Sequence, residues 1–245
     1  MKKILMLIVS ITIVLSLNAE DKIEDATFND IAKPIIGDKK YIIDKEKIRI
    51  KVPNFADNSL QVPIFVDASK IKNSKRMVLF ADYNPIPLIA DMKVSNILPV
   101  VSTNIKVAAE TPLRVLVLDE NDIWHVSTAL IKSAGGGCDV SSLSTGNDEF
   151  AERLGTGKIK VFDKKDRKRI KASIFHPMET GLVFGSSEFF INKIVIKQEN
   201  KTLSTIKTTS VISENPRFIF EAKNKAKNFD MHFFDNDGNE FKLAL

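Results

Sequence analysis

Lys47-Ile48-Arg49-Ile50-Lys51-Val52 decides the fold class of this chain. Its apolar residues occupy every second position and alternate with cations, which is typical of a β-strand with one face buried and the other in water. Period two also dominates most of the sequence beyond this stretch. The pattern therefore predicts an all-β protein.

Further strand-like runs follow this stretch and predict a sandwich or barrel architecture. They cover residues 62–67, 76–80, 105–109, 113–118 and 124–131, and then 158–162, 170–175, 191–196, 202–211, 218–222 and 229–234. The prolines of Asn84-Pro85-Ile86-Pro87 lack amide donors, so this segment is predicted to be a connection. One short helix is predicted from about Glu24 to Ile36, with Pro34 and Gly37 marking its end.

The first twenty residues have the layout of a secretory signal peptide. Lys2 and Lys3 precede an apolar stretch from Ile4 to Leu17, and the small residue Ala19 follows. We expect cleavage after Ala19, a periplasmic location and no stable membrane span in the mature chain. Because Leu17 is large for the position three residues before the cleavage site, an uncleaved anchor is the alternative.

Composition places the chain among ordinary globular proteins. The apolar content is 44% and the charged content 27%, enough for a sizeable core. The formal net charge of +5 includes Lys2 and Lys3 of the signal segment. The small remaining charge, with aromatics that are mostly phenylalanine, excludes a nucleic-acid binder.

The single cysteine, Cys138, follows Gly135, Gly136 and Gly137. Glycines offer a pliable backbone and no packing side chains, so we expect an exposed, mobile thiol; a buried structural cysteine is the competing interpretation. The polar stretch at 139–152 is predicted to be a linker. Since Asp139 adds negative charge, we expect the thiol to react slowly until a partner supplies positive charge.

Other groups of residues predict little chemistry. His125, His176 and His232 lack metal-ligand spacing, so no metal and no cofactor are predicted. A hydrolase dyad of Cys138 and His176 is disfavoured, because a triple-glycine arm cannot hold a nucleophile against its base. The basic run at 164–169 is interpreted as a solvated hairpin turn, with a docking patch as the alternative.

At the family level, the chain resembles a fusion of two proteins of the periplasmic sulfur-oxidation system. Residues 48–53, 62–64, 84–87 and 136–138 resemble SoxY, the thiol carrier. The second half resembles SoxZ, its partner, most distinctively in His176-Pro177-Met178-Glu179-Thr180-Gly181. The expected organisation is a signal peptide at 1–19, a SoxY-like domain at 23–138, a linker at 139–152 and a SoxZ-like domain at 153–245.

The resemblance implies two immunoglobulin-like β-sandwiches and a non-enzymatic carrier of sulfur intermediates in thiosulfate oxidation. It implies covalent sulfur attachment at Cys138 and a swinging arm at Gly135, Gly136 and Gly137. One departure is that the chain continues past the cysteine, so the arm is tethered at both ends. The expected partners are periplasmic sulfur-oxidation enzymes, or a c-type cytochrome or quinoprotein dehydrogenase.

Several alternatives stay open at this point. The second interpretation is a binding or assembly module for an exported quinoprotein or cytochrome redox enzyme. A thiol oxidoreductase is disfavoured because a second nearby cysteine is missing from the sequence. Cys138 would also allow a disulfide-linked homodimer. The hexapeptide at 176–181 is interpreted as an interface loop rather than a substrate contact.

Overall fold

The computed structural model describes residues 23–138, 140, 148–223 and 228–245. Within these ranges the chain forms two short helices and fifteen strands, and the strands assemble into two sheets. The prediction of an all-β fold, with immunoglobulin-like sandwiches and a short helix near the N-terminus, is confirmed. The predicted signal peptide lies outside the described residues, as does most of the predicted linker.

The helices and strands follow one another along the chain with these bounds. They are α1 (Ala26–Ile36), β1 (Tyr41–Ile43), β2 (Arg49–Lys51), β3 (Val62–Asp67), β4 (Arg76–Ala81), β5 (Leu88–Lys93), β6 (Ile97–Ile105), β7 (Thr111–Leu118), β8 (Trp124–Ile131), α2 (Asp148–Arg153), β9 (Gly157–Asp163), β10 (Lys168–Ile174), β11 (Ile191–Gln198), β12 (Lys201–Thr208), β13 (Arg217–Ala222), β14 (Phe229–Asp235) and β15 (Glu240–Ala244).

Both sheets run through both halves of the chain. The larger has the strand order β1-β8-β7-β4-β5-β12-β11-β14-β15, and the smaller has the order β2-β3-β6-β13-β10-β9. The halves meet where β5 pairs with β12 and where β6 pairs with β13, both antiparallel. The two sequence halves are therefore joined edge to edge by backbone hydrogen bonds.

The core lies between the two sheets and is continuous across the halves. Strand alternation supplies its side chains, as in β3, where Val62, Ile64 and Val66 are buried. Phe220 of β13 and Phe233 of β14 belong to the same cluster. Burying one such side chain stabilises the fold by about 1.5–3 kcal/mol, so this shared core contributes to holding the halves together.

Helix α1 covers the outer face of the larger sheet. Asp25 caps its N-terminus by accepting hydrogen bonds from the amides of Thr27 and Phe28, and Gly37 ends it with φ of +62°. Phe28 packs in a second buried cluster with Phe80 and other residues of the larger sheet. The predicted helix is confirmed, although Pro34 lies inside its last turn. Among the described residues, none of the helices is long and apolar enough to cross a membrane.

Candidate functional site

The glycine run that precedes the cysteine lies against the chain segment that follows β6. The amide of Gly136 donates to the carbonyl of Ala108 at 3.0 Å, and the amide of Gly137 donates to the carbonyl of Val107 at 2.9 Å. The amide of Gly135 donates to the Ser133 hydroxyl at 3.1 Å. In this structure the predicted arm is hydrogen bonded in place rather than loose.

Close backbone contact explains why a glycine precedes the cysteine. A Cβ atom on Gly137 would lie 2.1 Å from the carbonyl oxygen of Ser59 and 2.8 Å from that of Val107. At Gly135, where φ is +87°, a Cβ would lie 2.5 Å from the oxygen of Ala108. These distances are far below van der Waals contact. Glycine is therefore required at these two positions for the observed packing.

Cys138 is completely buried in this structure, with 0% of its surface exposed, so the prediction of an exposed thiol is wrong. Its carbonyl oxygen accepts a hydrogen bond of 3.1 Å from the hydroxyl of Thr180, in the C-terminal half. The prediction rested on the residues next to Cys138 in sequence. The contact with Thr180 comes instead from a loop about forty residues away. Asp139 lies outside the described residues.

That loop is the hexapeptide that sequence analysis singled out, between β10 and β11. His176, Pro177, Met178, Glu179 and Thr180 are all buried. The amide of Glu179 donates to the carbonyl of Phe189 at 2.7 Å, and the reverse bond is 3.2 Å. Gly181 follows with φ of +70°, where a Cβ would crowd Glu188. The loop is thus firmly held, and it contacts the cysteine through Thr180.

Lys106 is the charged group that links the arm to this loop, and sequence analysis missed it. The residue is 4% exposed, and its ammonium donates to the carbonyl oxygens of Met178 and, at 3.3 Å, Ser210. Burial lowers the pKa of Lys106, and the nearby Glu179, Cys138 and Glu214 partly oppose this. The sequence did contain a sign of this buried charge, because Lys106 is the one charged residue in the otherwise apolar run from Ile105 to Ala109.

The position of Lys106 changes the expected electrostatics of the thiol. The two groups interact electrostatically, since Cys138 is among the groups that oppose the lowering of the Lys106 pKa by burial. The sequence alone predicted that positive charge would come from a partner protein. In the docked arrangement, the chain itself supplies a positive group near Cys138.

His176 is a buried structural residue in the loop that contacts Cys138. Its Nδ1 accepts a hydrogen bond of 3.2 Å from the amide of Met178, and its Nε2 lies 3.6 Å from a carboxylate oxygen of Asp235. Burial lowers the pKa of His176 from 6.5 to about 4, despite the opposing effect of Asp235. The imidazole is therefore neutral at neutral pH and supports the loop.

The other histidines lie at separate sites. His125 lies between Asp44 at 2.8 Å and Asp119 at 3.4 Å, and His232 contacts Glu240 at 2.7 Å. Within the described part of the chain, no group of three His, Cys, Asp or Glu side chains is placed to hold a metal ion.

Comparison with protein families now accounts for both halves. The model of the sulfur oxidation protein SoxY matches residues 32–138, and the model of the sulphur oxidation protein SoxZ matches residues 159–244. The chain is a fused SoxYZ-like protein. The SoxY match ends at Cys138, and the SoxZ match includes the loop that contacts it through Thr180.

Solved structures similar to this fused SoxYZ-like chain include the sulfur carrier protein SoxY from Chlorobium limicola f thiosulfatophilum. It is 24% identical with a TM-score of 0.40, covering 44% of this chain and 96% of that one. The β-glucuronidase of Parabacteroides merdae is 9% identical with a TM-score of 0.23, covering 82% of this chain and 24% of that one. A search of curated proteins gave no match.

Proposed function

We propose that this chain is a periplasmic carrier that holds sulfur intermediates covalently on Cys138 and presents them to enzymes of thiosulfate oxidation. The observation that carries the proposal is the SoxY match, which ends at the single cysteine of the chain. The glycines before it form the proposed arm. The signal-like sequence at residues 1–19 supports export.

The docked arm is interpreted as the resting state of the carrier. A sulfur atom with no exposed surface cannot meet another enzyme, so the arm must leave its position before cargo is attached. The contacts to be broken include three hydrogen bonds. Two run from the arm amides to the carbonyls of Val107 and Ala108, and the third runs from the Thr180 hydroxyl to the arm. Each such bond stabilises the docked state by about 1 kcal/mol, which makes release accessible.

Loading with thiosulfate requires a redox partner. Joining the Cys138 thiolate to the outer sulfur of thiosulfate forms one S–S bond and releases two electrons. The chain has one cysteine and no second thiol to take those electrons. A partner such as a c-type cytochrome must accept them, so we propose that this chain carries the cargo and that other proteins catalyse the reactions.

Burial of Cys138 also favours a second candidate function. A fully buried cysteine is common in protein cores and can be structural. On that basis the chain would be an assembly module for an exported quinoprotein or cytochrome redox enzyme, and Cys138 would carry no cargo.

Mass spectrometry of the native protein separates the two candidates. Protein purified without reductant from cells grown on thiosulfate is expected to carry sulfur-containing adducts on the Cys138 peptide, and a thiol reductant should remove them. Cys138→Ser should abolish thiosulfate oxidation in those cells. Unmodified Cys138 together with full activity of Cys138→Ser would establish the assembly role instead. A disulfide-linked homodimer would appear in the same non-reducing preparation.

A further inference from the structure

Four cations share the outer face of the smaller sheet in the C-terminal half, and we call them the basic face: Lys158, Lys160, Lys171 and Arg217. All four are exposed. In β9 and β10 the residues between them, such as Ile159, Ile170 and Ala172, point into the core. Strand alternation therefore places these charges together on the solvent side.

The register of the strands brings the charges close to one another. Lys160 of β9 lies directly opposite Lys171 of β10. Ser173 lies opposite Lys158 on one side and Arg217 on the other. Like charges placed directly opposite each other destabilise a sheet. Lys171 gains a contact with the ring of Phe162, 5.1 Å from its ammonium, but the pairing of Lys160 with Lys171 itself opposes folding.

Other cations of the same sheet are neutralised by nearby carboxylates. Arg167 and Arg169 both form ion pairs with Glu221, at 3.0 and 2.6 Å. Lys168 pairs with Asp163. The basic run at 164–169, for which docking was the alternative interpretation, is thus partly neutralised by structural ion pairs. In the described part of the chain, no ion pair to a carboxylate is formed by the four cations of the basic face.

The surrounding charge reinforces this imbalance. Residues 153–245 contain 18 lysines and arginines against 11 aspartates and glutamates, whereas residues 20–152 contain 16 against 20. The basic face lines an open cleft of about 720 Å³, whose described lining residues include no carboxylate. Positive charge in an open cleft raises the association rate of an acidic partner.

The cleft adjoins the loop that contacts Cys138 through Thr180. Phe175 and Asn215 line the cleft. Phe175 directly precedes His176, the first residue of the hexapeptide, and Asn215 is hydrogen bonded to His176. The amide of Asn215 donates to the carbonyl of His176 at 2.9 Å. A partner seated on the basic face would therefore lie beside the segment that reaches Thr180 and Cys138.

We propose that the basic face docks a carboxylate-rich surface of an enzyme that acts on Cys138. The inference rests on the proposed carrier function for the role of that enzyme. A protein surface fits better than a small anion, because the cations are spread over an exposed sheet face. Phe175 and Ile219 in the cleft add apolar contact area beside the charges.

The test uses the intact protein and a fluorescent peptide of about twelve alternating Asp and Glu residues. We expect binding that weakens steeply with salt. The triple variant Lys158→Gln/Lys160→Gln/Lys171→Gln should weaken it about tenfold or more. The matched control is Lys72→Gln/Lys201→Gln/Lys242→Gln, which removes three exposed lysines elsewhere and should change the affinity less than about twofold. Carbodiimide cross-links should map to Lys158, Lys160 and Lys171.

Several outcomes would overturn the proposal. Equal weakening in both triple variants would mean that only net charge matters. Displacement of the peptide by low millimolar sulfate or thiosulfate at constant ionic strength would indicate a small-anion site. Self-association that only the basic-face variant abolishes would identify a second copy as the occupant.

Two further measurements test whether lost peptide binding comes from misfolding or depends on Cys138. The basic-face variant should unfold at nearly the same urea concentration as the unmodified protein, since it removes both the repulsion between Lys160 and Lys171 and the contact of Lys171 with the Phe162 ring. Misfolding would then not explain lost binding. Cys138→Ser should bind the peptide normally. Docking at the basic face can therefore be confirmed or rejected whether or not Cys138 carries sulfur.

Discussion

The hydroxyl of Thr180 donates a hydrogen bond of 3.1 Å to the carbonyl oxygen of Cys138, 42 residues earlier in the chain. The SoxZ-like half thereby holds the last residue of the SoxY-like half. Both residues are buried, so the bond is shielded from competing water. It provides a direct way to change how tightly the thiol is enclosed.

Thr180→Val should loosen the docked arm while keeping the shape of the side chain. The substitution removes the bond to Cys138 and also the 3.3 Å bond that the Thr180 hydroxyl accepts from the amide of Leu182 within the loop. Loss of the bond to the arm, worth about 1 kcal/mol, should raise the population of the undocked arm about fivefold. The rate of Cys138 alkylation by iodoacetamide in the folded protein measures that population. Thr202→Val, at an exposed position of β12, is the control and should leave the rate unchanged. An unchanged rate in Thr180→Val would show that this bond does not limit release.

Gly137→Ala should expel the arm from its position. The added Cβ would lie 2.1 Å from the carbonyl oxygen of Ser59. That oxygen accepts from the amide of Val107, and the Gly137 amide donates to the carbonyl of Val107, so a shift of either backbone strains one of these bonds. We expect alkylation of Cys138 to become at least about tenfold faster, with the rest of the fold intact. Gly136→Ala is the control for backbone strain alone, because φ is +81° there and no atom lies within 4 Å of the added carbon. Equal rates in the two variants would contradict a steric requirement at Gly137.

Lys106→Met should destabilise the junction between the halves. The substitution leaves the carbonyls of Met178 and Ser210 without their donor and removes the positive charge near Glu179. We expect the free energy of unfolding to fall by about 2 kcal/mol in urea denaturation. Lys72→Met, at an exposed position, should change it by less than about 0.5 kcal/mol.

The same variant has a signature at alkaline pH. Burial lowers the pKa of Lys106 below 10.5, so the unfolded chain binds more protons than the folded one between the two pKa values. Stability from this group therefore increases as the pH rises through that window. Lys106→Met should abolish that increase. If the stability of the variant rises with pH as much as that of the unmodified protein, the effect belongs to another group.

His176 should make the protein less stable in acid. Its pKa is about 4 in the folded state, against an ordinary value of 6.5 in the unfolded chain, so the unfolded chain binds the proton first as the pH falls. Its contribution should decrease by about 3 kcal/mol as the pH drops from 6.5 to 4. Urea denaturation at several pH values measures the loss, and His176→Gln should lose that part of the pH dependence.

A second histidine variant and a direct titration complete this test. His232→Gln removes a histidine at a separate site and should retain the loss of stability attributed to His176. Proton NMR should show that the His176 ring stays neutral down to about pH 4 in the intact protein. Titration of that ring near pH 6.5 would contradict the role of burial.

Local patterns predicted the fold class because the relevant signals are local. Gly37 marked the end of the helix, and alternation identified β3, β4, β7 and β8. Short or irregular strands such as β1 and β5 were missed, since Tyr41-Ile42-Ile43 is too short to show a period. The run at 105–109 was assigned as a strand, but β6 ends at Ile105 and the following residues pair with the arm.

The enclosure of the thiol could not be predicted from its neighbours. Glycine allows both mobility and very close backbone approach, and the sequence around Cys138 does not distinguish the two. The deciding partners, Lys106 and Thr180, come from distant segments that only the folded chain brings to the arm. The hexapeptide was recognised as distinctive, but its contact with Cys138 required the tertiary structure.

The pairing of β5 with β12 and of β6 with β13 has a consequence for the role of the covalent link. Because two ladders and a common interior already join the halves, proteolysis between residues 140 and 148 should yield fragments that copurify as a stable heterodimer. Fusion would then add little cohesion. Fusion would instead fix the ratio of the two halves at one to one, since every translated chain contains one thiol together with the loop that contacts it.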